Sequence, residues 1–172
     1  ALGRNPSLAA RVISVVIGEL PAGAYPEQVR DLIARFGLES TVRLAGRRSD
    51  EELRAWLYHA DICLNLRHPV MEGASASLAD SLVFGKAVVV TDAGVYAEMP
   101  DDCVSKIDPG REVEQLPSVL RALLDDPASR QSIAVIFEYG QYLVPAGDLG
   151  SLAQGSGARL VRFLSWAQNP HI

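Results

Sequence analysis

A carboxylate, a run of small residues and a second carboxylate lie within one stretch of the chain: Glu72, then Gly73-Ala-Ser-Ala-Ser77, then Asp80, with seven residues between the two acids. Gly73, Ala74, Ser75, Ala76 and Ser77 suit the first turn of a helix whose backbone a ligand can approach closely. The first N–H groups of a helix have no internal acceptor, and the helix dipole adds partial positive charge there. Such an end is a ready phosphate site. At helical spacing Asp80 shares a face with Ala76, Ser77 and Phe84, while Leu78 and Leu82 take the opposite, core-facing side. Gly85 suits the C-terminal cap. Lys86-Ala-Val-Val-Val-Thr91 is then a short β-branched run, as expected of a buried parallel strand.

The elements that must position this stretch can be read on either side of it. Val12–Ile17 is an apolar strand closed by Gly18. Pro26 fits the first position of a helix whose apolar stripe is Val29, Leu32, Ile33 and Phe36, ended by Gly37. Thr41–Ala45 is a second strand, and Gly46-Arg-Arg48 its exit loop. Ser49 and Glu52 form a capping-box pattern ahead of Leu53, Trp56, Leu57 and Ala60. Ile62–Leu66 and Cys103–Ile107 read as further strands. Leu116, Leu120, Leu123 and Leu124 mark another helix, with Pro117 tolerable only in its first turn. Asp126-Pro127 opens a helix running towards Tyr139 or Val144. Gly147–Gly157 reads as a turn, and Leu160, Phe163, Leu164 and Ala167 as a last helix, so 128–172 is expected to be a helical segment. Strands alternating with helices predict an α/β fold: a doubly wound, Rossmann-like parallel sheet with helices on both faces, in a single domain over 1–172. Ligands in such sheets bind outside the carboxyl ends of the strands. The Gly46-Arg-Arg48 loop, the loop holding Glu72 and the Thr91-Asp-Ala-Gly94 loop should therefore share one rim.

Whole-chain properties narrow the class. The chain has 172 residues, enough for a real core, with 48% hydrophobic and 22% charged residues. A net charge of −5 argues against a general nucleic-acid binder. Cys63 and Cys103 sit in apolar runs and read as buried free thiols, with no metal-ligand spacing around them. No apolar run approaches the ~20 residues of a spanning helix, and no signal peptide opens the chain. The expectation is a cytoplasmic protein, with peripheral membrane contact left open. No Gly-x-Gly-x-x-Gly follows a strand, and neither a P-loop nor a Gly-x-Ser-x-Gly elbow is present.

Val42-Arg-Leu-Ala-Gly46, Ser49–Leu53, Tyr58-His-Ala-Asp-Ile-Cys-Leu64, Glu72-Gly73, Gly85–Thr91, Gly94 and Glu98 follow one another in an order and spacing that resembles a known pattern. They look like the C-terminal domain of a GT-B retaining glycosyltransferase, the large group that includes sucrose synthases and many bacterial mannosyl- and glucosyltransferases. The resemblance covers roughly residues 12–130. In that family two glutamates, seven residues apart, bracket the start of the donor-site helix; Glu72 and Asp80 stand in their places. The resemblance implies a nucleoside diphosphate sugar as substrate. Glu72 would be the catalytic acidic residue facing the donor sugar. Asp80 would accept hydrogen bonds from the ribose diol, a double donor meeting a double acceptor. Backbone around Gly73, Ala74, Ser75 and Ala76 would hold the diphosphate, and Arg47 would line the base. Asp80 is one methylene shorter than the family's glutamate, and the family's arginine and lysine phosphate clamp has no counterpart that can be placed.

The resemblance further implies a first strand and an acceptor-binding N-terminal domain outside this chain, which alone would be inactive. Neither a metal nor another cofactor is expected, since no Asp-x-Asp cluster stands in the rim loops. An apolar face left by the absent domain could drive dimerisation. A second reading keeps the fold without the chemistry: a nucleotide- or phosphosugar-binding module, or an α/β protein-interaction domain. A third, a flavodoxin-like or response-regulator domain, lacks the acidic cluster at the end of its first strand.

Overall fold

The computed structural model describes residues 1–71, 73–128 and 130, together with the backbone of 161–166. The elements in chain order are α1 (Pro6–Ala9), β1 (Val12–Ile17), α2 (Tyr25–Arg35), β2 (Val42–Gly46), α3 (Asp50–His59), β3 (Ile62–Asn65), α4 (Ala76–Val83), β4 (Ala87–Thr91), β5 (Ser105–Ile107), α5 (Glu112–Asp125) and β6 (Val161–Trp166). A six-stranded sheet runs in the order β2-β1-β6-β3-β4-β5. Each of its strand pairs is parallel.

Side-chain alternation divides the core into two layers. Ile62, Leu64, Ala87 and Val89 pack on one side with α1 and α5, through Leu8, Leu116, Leu120, Leu123 and Leu124. Cys63, Val88 and Val90 point to the other side, against Leu57 and Ala60 of the α3 end and Leu78 of α4. β4 is thus buried on both faces, which explains its unbroken valine run. Each of its valines contributes roughly 1.5–3 kcal/mol by leaving water. The expected doubly wound α/β sheet is what the chain forms.

Local signals are used as expected in several places. Ser49 Oγ accepts from Glu52 N–H at 3.2 Å, and Ser49 N–H donates to Glu52 Oε2 at 3.0 Å, completing the capping box of α3. Gly85, at φ +61°, ends α4 in a left-handed turn where Gly85 N–H bonds Leu82 O at 2.9 Å and Lys86 N–H bonds Ser81 O at 3.0 Å. Asp126 Oδ1 accepts from Ala128 N–H at 3.0 Å, as an N-cap should. The remainder of the helix expected to follow, and the Gly147–Gly157 turn, lie outside the described residues.

One expectation is corrected. Val161–Trp166 is a strand, not part of a last helix, so 128–172 is not a purely helical segment. The run carries valine and aromatic residues, and its backbone finds partners on both sides, in β1 and β3. Pairing overrides a helical spacing that so short a run cannot distinguish from a strand. α2 forms as its apolar spacing predicts, yet no residue of that helix is buried, and Leu32 is 51% exposed. Val29, Leu32 and Ile33 instead line an apolar cavity of about 450 Å³ between α2, the sheet and α5.

Candidate functional site

Because neighbouring strands are parallel, the exits of β1 to β5 lie at one edge of the sheet. Three expected loops meet there: Gly46-Arg-Arg48 after β2, the segment from Leu66 to Ser75 after β3, and Asp92–Gly94 after β4. The last two approach closely. A Cβ on Gly94, where φ is +52°, would come within 2.7 Å of Val70 Cγ1, so only glycine fits. Gly73 behaves differently: a Cβ there would meet nothing within 4 Å, so the loop is open above α4.

α4 has eight residues and begins under a polar cluster. Ser75 is its N-cap, with Oγ accepting from Leu78 N–H at 3.3 Å. The Tyr96 hydroxyl donates to the same Oγ at 2.9 Å. Ser77 Oγ lies 3.2 Å from Ser75 Oγ and donates to Asn65 Oδ1 at 2.7 Å. With the Ser77 proton committed to Asn65, the Ser75 hydroxyl must donate to Ser77. A directed chain therefore runs from Tyr96 through Ser75 and Ser77 to Asn65. Arg67 Nη2 reaches Ser77 Oγ at 3.5 Å, a long contact that orients the guanidinium more than it binds it. Arg67 N–H donates to Thr91 Oγ1 at 2.8 Å, tying the ends of β3 and β4 together.

The cluster is deep. Asn65, Thr91 and Tyr96 are essentially inaccessible, and Ser77 is buried. Ser77 therefore does not share an exposed face with Asp80: the two small hydroxyls of α4, Ser77 and Ser81, turn inward with Leu78. Ser81 Oγ satisfies itself on Ser77 O at 2.7 Å, as a buried helical serine can. Asn65 Nδ2 is buried and has no partner.

Asp80 is on the exposed side of α4. Its pKa is raised, first by desolvation; Arg54 opposes the shift and Asp50 adds to it. Both neighbours belong to α3, and Asp50 is the residue at which that helix leaves the Gly46-Arg-Arg48 loop. Asp80 thus senses the start of α3, on the side of the rim where Arg47 is exposed. Arg48 is engaged with Glu52 at 3.3 Å. Gly73 and Ala74 are exposed ahead of Ser75 and Ala76. Glu72 lies outside the described residues. Sequence reasoning passed over Asn65, Thr91 and Tyr96. The available signal was a polar residue closing each of two buried apolar strands. Among the described residues no group of three or more His, Cys, Asp or Glu could hold a metal ion. No helix among them is long and apolar enough to cross a membrane.

Comparison with known proteins adds three kinds of likeness. An MMP alpha-(1->4)-mannosyltransferase of Mycolicibacterium hassiacum is 34% identical over 100 residues, covering 56% of this chain but only 23% of the relative. The chain thus spans under a quarter of that curated relative. Among solved structures, HepE of Anabaena in complex with UDP and glucose superposes with a TM-score of 0.66 at 24% identity, over 78% of this chain and 36% of that one. The C-terminal domain of a glycosyl transferase group 1 family protein, LpcC, from Francisella tularensis gives 0.58 at 16%, over 72% and 80% respectively. Sucrose-phosphate synthase of Thermosynechococcus elongatus gives 0.60 at 15%, over 78% and 42%. At these identities the likeness is one of fold, the Rossmann-like half found in GT-B glycosyltransferases. A family model described as the AAA+ chaperone, N-terminal Rossmann-like domain matches residues 24–172, from the turn before α2 through the last residue, and the chain belongs to that family.

Proposed function

We propose that this domain binds a nucleoside diphosphate sugar at the rim, with the diphosphate over the start of α4 and the ribose beside Asp80. One observation carries the reading: an open, small-residue helix start backed by a buried hydroxyl cluster, with an exposed carboxylate one turn further on whose charge is coupled to Arg54 and Asp50 of α3. Backbone N–H groups of Ala76 and Ser77 precede any internal helical acceptor and are suited to phosphate oxygens. Asp80 is suited to the diol, and Arg47 to the base. The UDP and UDP-glucose complexes of HepE, which shares this fold, support the ligand class.

In a longer protein the same site would serve sugar transfer, with this chain as the C-terminal, donor-binding half and an N-terminal domain holding the acceptor. The amides would stabilise the leaving diphosphate, and Glu72 would face the sugar in a retaining reaction. This chain alone is expected to show no useful turnover, because a cleft between two domains is needed to exclude water.

Calorimetric titration with UDP, GDP and ADP tests the binding claim. Saturable binding of one of them, weakened about tenfold by Asp80→Ala, is the expected result; a charged acceptor with two donors is worth roughly that much. Binding untouched by Asp80→Ala would remove the ribose assignment.

The family match favours a second reading, a nucleotide- or phosphosugar-binding module without catalysis at the head of an AAA+ chaperone. Glu72→Ala in the longer protein separates the two. Lost sugar transfer with nucleotide affinity retained supports catalysis. Nucleotide binding with no sugar transfer in the unmodified protein supports the module.

A further inference from the structure

The apolar stripe of α2 buries none of its residues, and the space it faces is the cavity of about 450 Å³. The floor of that cavity is one face of the sheet, with Ser14 and Val16 of β1, Leu44 of β2 and Leu64 of β3. α2 forms one wall through Leu32 and Ile33, and α5 the other through Leu116 and Leu120. The turn Leu2–Arg4 closes a third side. A Cβ on Gly3 would come within 2.4 Å of the Phe36 ring, so this turn is seated directly against the end of α2. Among the described lining residues only Ser14 and Arg4 carry polar side chains. Water needs several polar partners, and an apolar space offers few. The volume and the apolar lining are those of a site for a small organic ligand.

A second cavity adjoins the first and shares Arg4 and Val113 with it. Arg111 and Arg121 line it as well. Arg111 is neutralised by Asp108 at 3.0 Å and Glu114 at 2.8 Å. Arg121 donates to Asn5 Oδ1 at 2.8 Å, a neutral acceptor that leaves its charge uncompensated. Arg4 has no ion pair among the described residues. Two guanidiniums thus stand beside an apolar cavity, in a chain whose net charge is −5.

We propose that the two cavities form one binding site for a long-chain fatty acid, with the alkyl chain between α2 and α5 and the carboxylate at Arg4 and Arg121. The planar donor fork of a guanidinium matches a carboxylate, and the alkyl chain covers the stripe that α2 leaves exposed. This site belongs to the layer of α1 and α5, on the other face of the sheet from α3 and α4, so it stands apart from the nucleotide reading.

Displacement of cis-parinaric acid, a fatty acid that fluoresces on leaving water, tests the site with the full chain. Dodecanoate should displace it about tenfold better than decanoate, since two more methylenes are buried. The double variant Arg4→Gln, Arg121→Gln should weaken dodecanoate at least tenfold and leave dodecanol, which has no charge to lose, unchanged. Ile33→Trp puts an indole into the cavity and should abolish displacement by both. Circular dichroism and a thermal melt establish that it is folded; Leu32→Trp, at a half-exposed position on the same wall, should give the same loss. No binding of parinaric acid overturns the proposal. Equal affinity for decanoate and dodecanoate, or full affinity for dodecanoate in the double arginine variant, overturns it too.

Discussion

Asp80 and Cys63 show how one side chain's surroundings decide its chemistry. Desolvation raises the Asp80 pKa, so its carboxylate takes up a proton at higher pH than a solvated aspartate. For a carboxyl raised on folding, the folded state binds more protons than the unfolded state between the two pKa values. Stability therefore falls as pH rises through that window, and the penalty persists above it. Asp80→Asn should remove this pH dependence, read as urea midpoints on either side of the window. Nucleotide binding should weaken on acidification before ordinary carboxylates titrate, because a protonated Asp80 loses one acceptor. Cys63 is fully buried, and burial pushes its thiol up to about 11. It should resist Ellman's reagent at pH 8 and react only on unfolding; rapid labelling of the native chain at Cys63 would contradict its burial.

Helix ends bear most of the local order at the scale of elements. The capping box of α3 satisfies two orphan N–H groups at once, and Ser49→Ala should cost about 1 kcal/mol. Gly85→Ala forces a Cβ into the left-handed region and should cost ~1–2 kcal/mol, measured by urea unfolding. Gly85 lies at the far end of α4 from the rim, so in Gly85→Ala nucleotide affinity should follow stability and nothing else. Leu57, at 1% exposure on the inward face of α3, is a packing residue, and Leu57→Ala should cost about 2–5 kcal/mol. α2 is the exception among the helices. Its apolar stripe is at proper helical spacing but faces a cavity, so its substitutions should be mild.

β6 decides the architecture at the scale of the whole molecule. A sheet ordered 2-1-6-3-4-5 is the Rossmann order 3-2-1-4-5-6 with the central first strand supplied last in the chain. Val161–Trp166 thus takes the position and direction of that central strand, between β1 and β3. Without it β1 and β3 would each present an unpaired edge in the middle of the core. A chain ended after residue 130 should lose its cooperative urea transition and associate; a monomer with an unchanged midpoint would show that β6 is dispensable.

The alternation of strands and helices, the two-sided burial of β4, the capping box and the glycine stop all follow from local chemistry. Each depends on neighbours within a few residues, so spacing alone could reveal them. The small-residue start of α4 and the acid one turn beyond were legible for the same reason. The Asn65–Ser77–Ser75–Tyr96 chain was not, because its members are separated by up to 31 positions and meet only when β3, α4 and the turn after β4 share one rim. Nor could spacing assign Val161–Trp166, since six residues of mixed apolar and polar character fit either period. Backbone pairing with β1 and β3, available only once the sheet has formed, makes it a strand.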